Sequence, residues 1–381
     1  MTDINNLFFE LIQVAIGTRI CLSHTPSADE WGELYAMAKK QSLVGVCFAG
    51  VQRLATSTDS ATEQRQEPPE MLYLTWMGMA AKIQQRNEVV NKQCVELQAK
   101  LSADGLRSSI LKGQAIASMY PEHLRGLRQS GDIDIYVDCG REKAIEYARG
   151  LQGDVDWDYK HLHLHIFPET EVEMHYVPEV FLNLWKNRKL QKWFKESEVS
   201  SSMFHVAGGL VCPSVEFNLF YILLHTYRHF LYEGVGMRQL MDWYFVLKSR
   251  NNDNANHNDN FISLIKQFGM MRFTKGVMWI MKTVFAGHDN TSTGSAQADN
   301  DNFFHQIESD EKEGRYILEQ VMMGGNFGHH DERLQNEVKG KWSAIIKILR
   351  HNLHLLTHYP SDTIWAPIWI VYHKLWKLMN R

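Results

Sequence analysis

Two aspartates separated by one apolar residue, Asp132 and Asp134, are the strongest chemical signal in this 381-residue sequence. Alternate side chains of a β-strand share a face, so both carboxylates should lie on one face while Ile133 and Ile135 point into the core. Two such charges repel each other and lose hydration if partly buried, unless a cation lies between them. A hard divalent ion prefers oxygen ligands, so the pattern predicts a metal site, and the alternative is an exposed strand edge facing water.

A glycine turn upstream of these aspartates could supply a phosphate site. Gly113 lacks a Cβ, which would let a phosphate approach the backbone closely. A short helix is predicted from Gln114 to Tyr120, and the N–H groups at its start could hold the phosphate. The turn and the aspartate pair together therefore indicate a site for a phosphorylated ligand and its cation.

Three segments must position these residues. Helical periodicity dominates residues 1–105 and includes a long helix from Met71 to Ala103. Residues 106–200 alternate short strands (108–111, 132–137, 161–167 and 171–176) with turns and helices. Residues 201–381 are predicted to be helical again, interrupted by Asn/Asp-rich tracts at 251–260 and 286–302 that predict surface loops. This order predicts an α+β protein with a small mixed sheet between helical segments.

Composition limits the classes of function. Hydrophobic residues make up 44% and charged residues 22% of the chain, which excludes a disordered or coiled-coil protein. Lys and Arg total 40 against 44 Asp and Glu, so the basic surplus typical of a dedicated nucleic-acid binder is missing. The five cysteines are scattered and show no CxxC spacing, which disfavours a zinc knuckle or disulfide framework.

The hydropathy pattern gives no membrane signal. No window approaches the roughly 20 apolar residues that a membrane span needs. The first residues are acidic and lack the basic flank of a signal peptide. We therefore expect a cytoplasmic protein without a membrane span.

The segment 111–138 resembles the nucleotidyltransferase superfamily that includes DNA polymerase β. Members have an apolar strand, a Gly-containing turn with a helix, and then a strand reading apolar–Asp–apolar–Asp–apolar. More narrowly, the chain is similar to a family of uncharacterised bacterial nucleotidyltransferases. The shared motifs are Lys112-Gly113, Tyr120-Pro121, Arg128, Gly131-Asp132-Ile133-Asp134, Val172-Glu173-Met174-His175, His225, His229 and the segment 234–243.

The resemblance implies a fold and an activity. The fold would be a polymerase-β-like core embedded in N- and C-terminal helical segments. Asp132, Asp134 and Glu173 would be the catalytic residues of a two-metal nucleotidyl transfer. The two aspartates would bind one Mg²⁺, Glu173 would join them at a second, and Mn²⁺ could take their place. The protein would transfer a nucleotidyl group from an NTP to a hydroxyl acceptor (a small molecule, a sugar or a protein) and release pyrophosphate. Glu171 lies two residues before Glu173 and competes with it for the third position.

The resemblance also implies a phosphate-binding set and a substrate groove. Many superfamily members have Gly-Ser after the first strand, whereas this chain has Gly113-Gln114, so a lysine or arginine would replace the missing hydroxyl. The groove residues could equally be interhelical hydrogen-bonding partners. The predicted phosphate contacts are Lys112, Gly113, Gln114, Arg128 and Gly131. The groove candidates are His175, His225, His229, Arg238 and Asp242.

Two other functions fit parts of the sequence. The fold could survive as a catalytically inactive nucleotide-sensing or partner-binding module, although all three carboxylates are retained. Alternatively, His161, His163 and His165 share a strand face with one another and could bind zinc in a hydrolase. The simpler interpretation of these histidines is a polar sheet face beside the carboxylates.

Overall fold

The computed structural model describes residues 3–56, 66–207, 209–250, 255–286, 307–325, 350 and 353–380. The chain divides into two compact units, each built from three stretches. The first comprises Met1–Glu88, Met119–Gln129 and Val235–His330, and the second comprises Val89–Ser118, Ser130–Gly234 and Asp331–Arg381. The chain therefore passes between the units repeatedly, and the boundaries expected after residues 105 and 200 stay predictions.

Helices account for most of the described chain. α4 contributes its first half to the first unit and its second half to the second. In chain order the helices are α1 (Asp3–Ile16), α2 (Ala28–Lys40), α3 (Val44–Thr56), α4 (Glu70–Ala103), α5 (Gln114–Ala117), α6 (Glu122–Arg125), α7 (Arg141–Gln152), α8 (Leu184–Phe194), α9 (Ser197–Ser202), α10 (Val215–Tyr232), α11 (Met237–Lys248), α12 (Ala255–Gln267), α13 (Met271–Ile280, followed by a π-helical turn at Met281–Phe285), α14 (Glu311–Gly324), α15 (Pro360–Thr363) and α16 (Trp365–Asn380).

The long helix α4 forms as the sequence predicts. Within each half of the helix, the buried apolar side chains lie three or four residues apart, which places them on one stripe. Trp76 and Ala80 belong to this stripe in the first unit, and Val90, Cys94 and Leu97 continue it in the second. The first half of this stripe is buried in the first unit, and the second half is buried in the second unit.

A four-stranded mixed sheet forms the centre of the second unit. The strands are β1 (Ser108–Ile110), β2 (Ile133–Val137), β3 (His161–Phe167) and β4 (Thr170–His175), in the order β1-β2-β4-β3. β2 runs parallel to β4, whereas β1 pairs with β2 and β3 with β4 in antiparallel fashion. A separate hairpin consists of β5 (His205–Ala207) and β6 (Leu210–Cys212). The prediction of a mixed helical and β protein with a small mixed sheet is confirmed.

The two faces of the sheet differ in polarity. Ile133 and Ile135 of β2, Val172 and Met174 of β4 and Leu162 of β3 are buried in one core with α4 and α7. The alternation predicted for Ile133 and Ile135 is therefore confirmed. Because side chains alternate along each strand, the opposite face receives the polar residues between them.

Two local predictions need correction. The helix expected to run to Tyr120 ends at Ala117, and a second one-turn helix begins after Pro121. Pro121 disfavours the α conformation at Tyr120, which keeps that residue out of the helix. The Asn/Asp-rich tract expected as a loop over 251–260 is helical from Ala255, since the helix extends back from the buried Phe261. Residues 251–254 and 287–302 lie outside the described residues.

Across the described segments, each helix is too short or too polar to cross a lipid bilayer.

Candidate active site

The predicted carboxylates come together on the polar face of the sheet. Asp134 of β2 is in register with Glu173 of β4 in the parallel pairing. Residues in register on adjacent strands point to the same face, so both carboxylates lie on the side opposite the hydrophobic core. Asp132 directly precedes β2 and shares its alternation with Asp134. The structure thus brings Asp132, Asp134 and Glu173 to one face.

A histidine and a lysine contact these carboxylates. His175 Nε2 lies 2.9 Å from Asp134 Oδ1 and 3.3 Å from Glu173 Oε2, and its side chain is fully buried. Lys112 Nζ lies 2.8 Å from the same Asp134 oxygen. An imidazole and an ammonium group therefore provide the countercharge for this part of the site.

The three carboxyl groups have different acidities. The charge of Asp134, followed by desolvation, raises the pKa of Asp132 to about 6. Burial also acts to raise the pKa of Asp134, but the Lys112 charge and the His175 hydrogen bond hold it well below its usual range. Burial acts to raise the pKa of Glu173, but the hydrogen bond from His175 outweighs it and the pKa falls to about 2. Asp134 and Glu173 are thus ionised at neutral pH.

The two basic partners have raised pKa values for a matching reason. Burial lowers the pKa of Lys112, but the charges of Asp134, Asp132 and Glu173 raise it above its ordinary value. Burial likewise lowers the pKa of His175, whereas hydrogen bonds to Asp134 and Glu173 raise it to a higher net value. Acidic and basic side chains are therefore in direct contact throughout this part of the site.

The donor atoms suit a divalent cation. Within the part of the chain that the structure describes, Asp134, Glu173 and His175 bring potential ligand atoms within 4.8 Å of one another. The Asp134 charge raises the pKa of Asp132 despite nearby Lys112, and a bound cation would relieve this repulsion. Carboxylate oxygens are also the preferred ligands of hard divalent ions. The residues present thus fit a Mg²⁺-type ion.

Glu173 and its competitor Glu171 have different surroundings. The Glu171 side chain is 55% exposed, and His163 Nδ1 lies 2.7 Å from its Oε1. Glu173 is 19% exposed and lies between His161 and His175. The structure therefore brings Glu173, and not Glu171, beside Asp134.

The glycine turn has the conformation that only glycine adopts easily. Gly113 has a φ of 58° and a ψ of −109°. A Cβ there would meet only the Asp132 carbonyl oxygen at 3.8 Å, so the need for glycine comes from the backbone and not from crowding. The Gln114 side chain is buried and donates through Nε2 to Asn91 Oδ1 at 2.6 Å. Because α5 is a single turn, a phosphate would be held by individual N–H groups, with little help from a helix dipole.

Arg128 belongs to the first unit and has a carboxylate partner there. Its Nε and Nη2 donate to the two oxygens of Asp242 at 2.6 and 2.7 Å, and both residues are buried. Tyr120 Oη donates to the same carboxylate at 2.7 Å. Arg238 Nη1 donates to the Gln129 carbonyl oxygen at 2.8 Å. A phosphate contact of Arg128 stays a prediction.

Sequence reasoning missed a second charged cluster in the second unit, centred on Glu179. The Glu179 side chain is fully buried, and three basic groups surround its carboxylate. His225 Nδ1 lies 2.7 Å, Arg228 Nε 3.1 Å and Lys160 Nζ 3.7 Å from its oxygens. A lone glutamate before the apolar run 180–182 was the available signal, because an unpaired charge there would be costly.

Two of the three predicted groove histidines, His225 and His229, lie in or beside this cluster. His229 Nδ1 lies 2.7 Å from Glu233 Oε2, and the His225 and His229 rings are 4.3 Å apart. Burial lowers the pKa of both histidines, and nearby Lys112 lowers that of His225 further. The histidines contact carboxylates of their own unit, and a substrate contact stays a prediction.

Comparison with known proteins gives one assignment. No curated protein matches the chain. Residues 27–286, more than half of the sequence, match a family described as uncharacterised nucleotidyltransferases. The resemblance inferred from the Lys-Gly, Gly-Asp-Ile-Asp and Val-Glu-x-His motifs is thereby confirmed. The chain belongs to this nucleotidyltransferase family.

Proposed function

We propose that this protein transfers a nucleotidyl group from an NTP to a hydroxyl acceptor, with a divalent cation bound by Asp132, Asp134 and Glu173. Membership of a nucleotidyltransferase family supports nucleotidyl transfer as the reaction class. The observation that carries the residue assignment is the parallel register of Asp134 and Glu173 on the polar face. Asp132, two residues before Asp134, adds the third carboxylate.

The sheet supports a polymerase-β-like core. Asp132 directly precedes β2, Asp134 lies on it, and the third carboxylate lies on the later strand β4 beside it, in line with the superfamily pattern. The glycine turn at Gly113 follows β1, which is the other neighbour of β2. The glycine turn and the third carboxylate therefore come from the two strands that flank β2.

Mg²⁺, or Mn²⁺ in its place, would be held by Asp132, Asp134 and Glu173, where it would neutralise charge on the triphosphate and on the departing pyrophosphate. Lys112, which contacts Asp134, would bind triphosphate oxygens beside that carboxylate. Gly113 and Gly131 would allow the phosphates to approach the backbone. These contacts fix the NTP so that the leaving pyrophosphate points away from the acceptor.

The remaining steps use Glu173 and His175. The acceptor hydroxyl oxygen would form a bond to the α-phosphorus while the bond from that phosphorus to the pyrophosphate oxygen breaks. Glu173 would orient the hydroxyl and help to remove its proton, which would pass to Asp132, the carboxyl group of the three with the pKa nearest neutrality, about 6. His175 contacts both Asp134 and Glu173, so we assign it a positioning role for the two carboxylates.

The acceptor is proposed only by its chemical class. A net charge of −4 gives no global basic surface, so a small molecule, sugar or protein fits better than a long nucleic acid. The alternative, a catalytically inactive nucleotide sensor, would bind NTP and modify nothing. The two functions therefore differ in whether the α-phosphoryl group of the NTP is transferred to another molecule.

The test is transfer of label from α-³²P-NTPs to acceptors in a cell extract, with and without Mg²⁺. Asp134→Asn should reduce labelled product by roughly a hundredfold or more, because it removes a carboxylate that acts on the transferring group. Asp138→Asn is the matched control, since Asp138 is exposed just after the same strand. The proposal fails if Asp134→Asn transfers label as well as the native protein, or if NTP is bound and no label moves.

A further inference from the structure

Two histidines of β3 lie beside Glu173 on the polar face. His161 and His163 alternate along the strand, and His163 is in register with Glu173 of β4. Their rings meet edge to face with centroids 5.0 Å apart. Among the described residues, the ligand atoms that these three side chains offer lie within 4.8 Å of one another. We call His161, His163 and Glu173 the histidine site.

Each histidine ring has a second carboxylate, other than Glu173, near one of its nitrogens. His163 Nδ1 lies 2.7 Å from Glu171 Oε1, which leaves Nε2 as the nitrogen that can bind an ion. His161 Nε2 lies 3.9 Å from Asp158 Oδ2, while its Nδ1 lies 3.5 Å from Glu173 Oε2. Metal-binding histidines commonly direct their second nitrogen to a carboxylate, which fixes the ring and its tautomer.

The Asp158 carboxylate is itself held in place. Its Oδ1 accepts hydrogen bonds from the backbone N–H groups of Lys160 and His161 at 2.7 and 3.0 Å. The loop before β3 thus orients the carboxylate that faces His161. The backbone therefore holds Asp158, and Asp158 in turn lies beside His161, as the carboxylates behind metal-binding histidines commonly do.

One buried ring nitrogen lacks a hydrogen bond. His161 Nδ1 is inaccessible to solvent and has no hydrogen-bond partner among the residues that the structure describes. Its 3.5 Å approach to Glu173 Oε2 is too distorted to count as one. A buried polar atom of this kind calls for an explanation, and an ion shared by the ring nitrogen and the carboxylate supplies it.

The donor set selects the class of ion. Two imidazoles and one carboxylate form the ligand set of many zinc sites that keep an open position, whereas Mg²⁺ prefers oxygen alone. The His163 and Glu173 side chains are 28% and 19% exposed, so an ion can approach past them, although His161 Nδ1 itself is covered. The site is therefore both accessible and suited to a borderline transition metal.

We propose that His161, His163 and Glu173 bind a divalent transition-metal ion of the zinc class. This site goes beyond the proposed function, because it requires neither an NTP nor Mg²⁺. It shares Glu173 with the proposed Mg²⁺ ligands, so an ion at the histidine site also fixes the orientation of that carboxylate. His165, which follows at the next alternate position of β3, is exposed and belongs to neither group of ligands.

The test is a Co²⁺ titration of the chelator-treated full chain, followed by visible absorption and by competition with Zn²⁺. The native protein should bind about one equivalent and develop the absorption bands of nitrogen-coordinated Co²⁺, which Zn²⁺ then abolishes. His161→Ala/His163→Ala should lose at least roughly tenfold in affinity. His165→Ala, the matched control, should bind as the native protein does.

Two further variants keep the result interpretable. Glu171→Gln alters only the exposed carboxylate behind His163 and should weaken Co²⁺ binding by roughly tenfold while leaving the thermal midpoint unchanged. Asp132→Asn should leave Co²⁺ binding intact, so loss of nucleotidyl transfer and loss of the histidine site can be told apart. The inference is overturned if the native protein gives no Co²⁺ bands, or if the double variant binds as tightly as the His165→Ala control.

Discussion

Lys112 Nζ lies 2.8 Å from Asp134 Oδ1, so the ammonium group contacts the carboxylate edge that the proposed cation also needs. This contact raises the pKa of Lys112 against the effect of burial and helps to hold the pKa of Asp134 down. An incoming divalent ion must therefore share Asp134 with Lys112. The site carries its own positive charge before any ligand binds, and this has measurable consequences.

Replacing Lys112 with methionine should make the protein depend more strongly on Mg²⁺ for stability. Lys112→Met removes a countercharge from Asp134, so repulsion among the carboxylates increases. Mg²⁺ should then raise the thermal midpoint of the variant by several degrees more than that of the native protein. Calorimetric unfolding with and without Mg²⁺ measures this difference.

The matched control is Lys143→Met, which removes an exposed lysine of α7. Its midpoint should respond to Mg²⁺ as the native midpoint does. An equal response of the Lys112→Met variant would show that Mg²⁺ does not bind near Asp134.

Gly113→Ala should destabilise the protein by about 1–3 kcal/mol, because the φ of 58° and ψ of −109° strain any L-residue. Gly131→Ala is the comparison, since Gly131 lies outside the left-handed region and has open space where a Cβ would lie. Urea unfolding of both variants gives the two free energies of unfolding. A Gly113→Ala loss no larger than that of Gly131→Ala would mean that the turn is not held in this conformation.

The buried Arg128–Asp242 pair predicts strong coupling. Arg128→Met leaves the Asp242 carboxylate without its bidentate partner and should lower the free energy of unfolding by about 3–5 kcal/mol. Adding Asp242→Leu should recover part of that loss, because the uncompensated charge is removed. A double-mutant cycle from urea unfolding measures the coupling. Strictly additive losses would contradict a direct ion pair.

Glu179 should make the stability depend on acidic pH. Burial raises its pKa, but Lys160, Arg228 and His225 hold it well below the ordinary value of 4.5. The unfolded state then binds a proton at a higher pH than the folded state, so this stabilisation is present above about pH 4.5 and is lost as the pH falls through the folded pKa.

Glu179→Gln should therefore reduce stability at pH 6 by about 3–5 kcal/mol and flatten the decline between pH 5 and pH 3.5. Urea unfolding across this range gives the two slopes. Glu146→Gln, which changes an exposed glutamate of α7, should keep the native slope. A Glu179→Gln slope as steep as the native one would refute the buried network.

Strand alternation and helical periodicity were enough to predict much of the fold and the shared face of Asp132 and Asp134. Ile133 between the two aspartates and Ile135 after them are apolar enough to require a core, which fixes the face on which the aspartates lie. The 34-residue helix α4 follows from a buried residue every three or four positions. These features depend on neighbours in sequence, so a local pattern suffices.

Contacts between distant residues were beyond the sequence patterns. The pairing of β2 with β4 sets Asp134 opposite Glu173, 39 residues away, and nothing local specifies that register. Asp242 lies 114 residues from Arg128, so the arginine could be assigned to phosphate but not to its actual carboxylate partner. The Glu179 cluster likewise joins α10 to the loop after β4, and only its apolar surroundings hinted at a buried charge.

The central claim is that three carboxylates on the polar face hold a divalent cation that an NTP needs for binding. Titration calorimetry of NTP, with and without Mg²⁺, on the native protein and on Asp132→Asn/Asp134→Asn tests it most directly. We expect Mg²⁺ to raise the NTP affinity of the native protein by tenfold or more, about 1.4 kcal/mol, and to have little effect on the double variant. Equal NTP affinity in all four titrations would contradict the account.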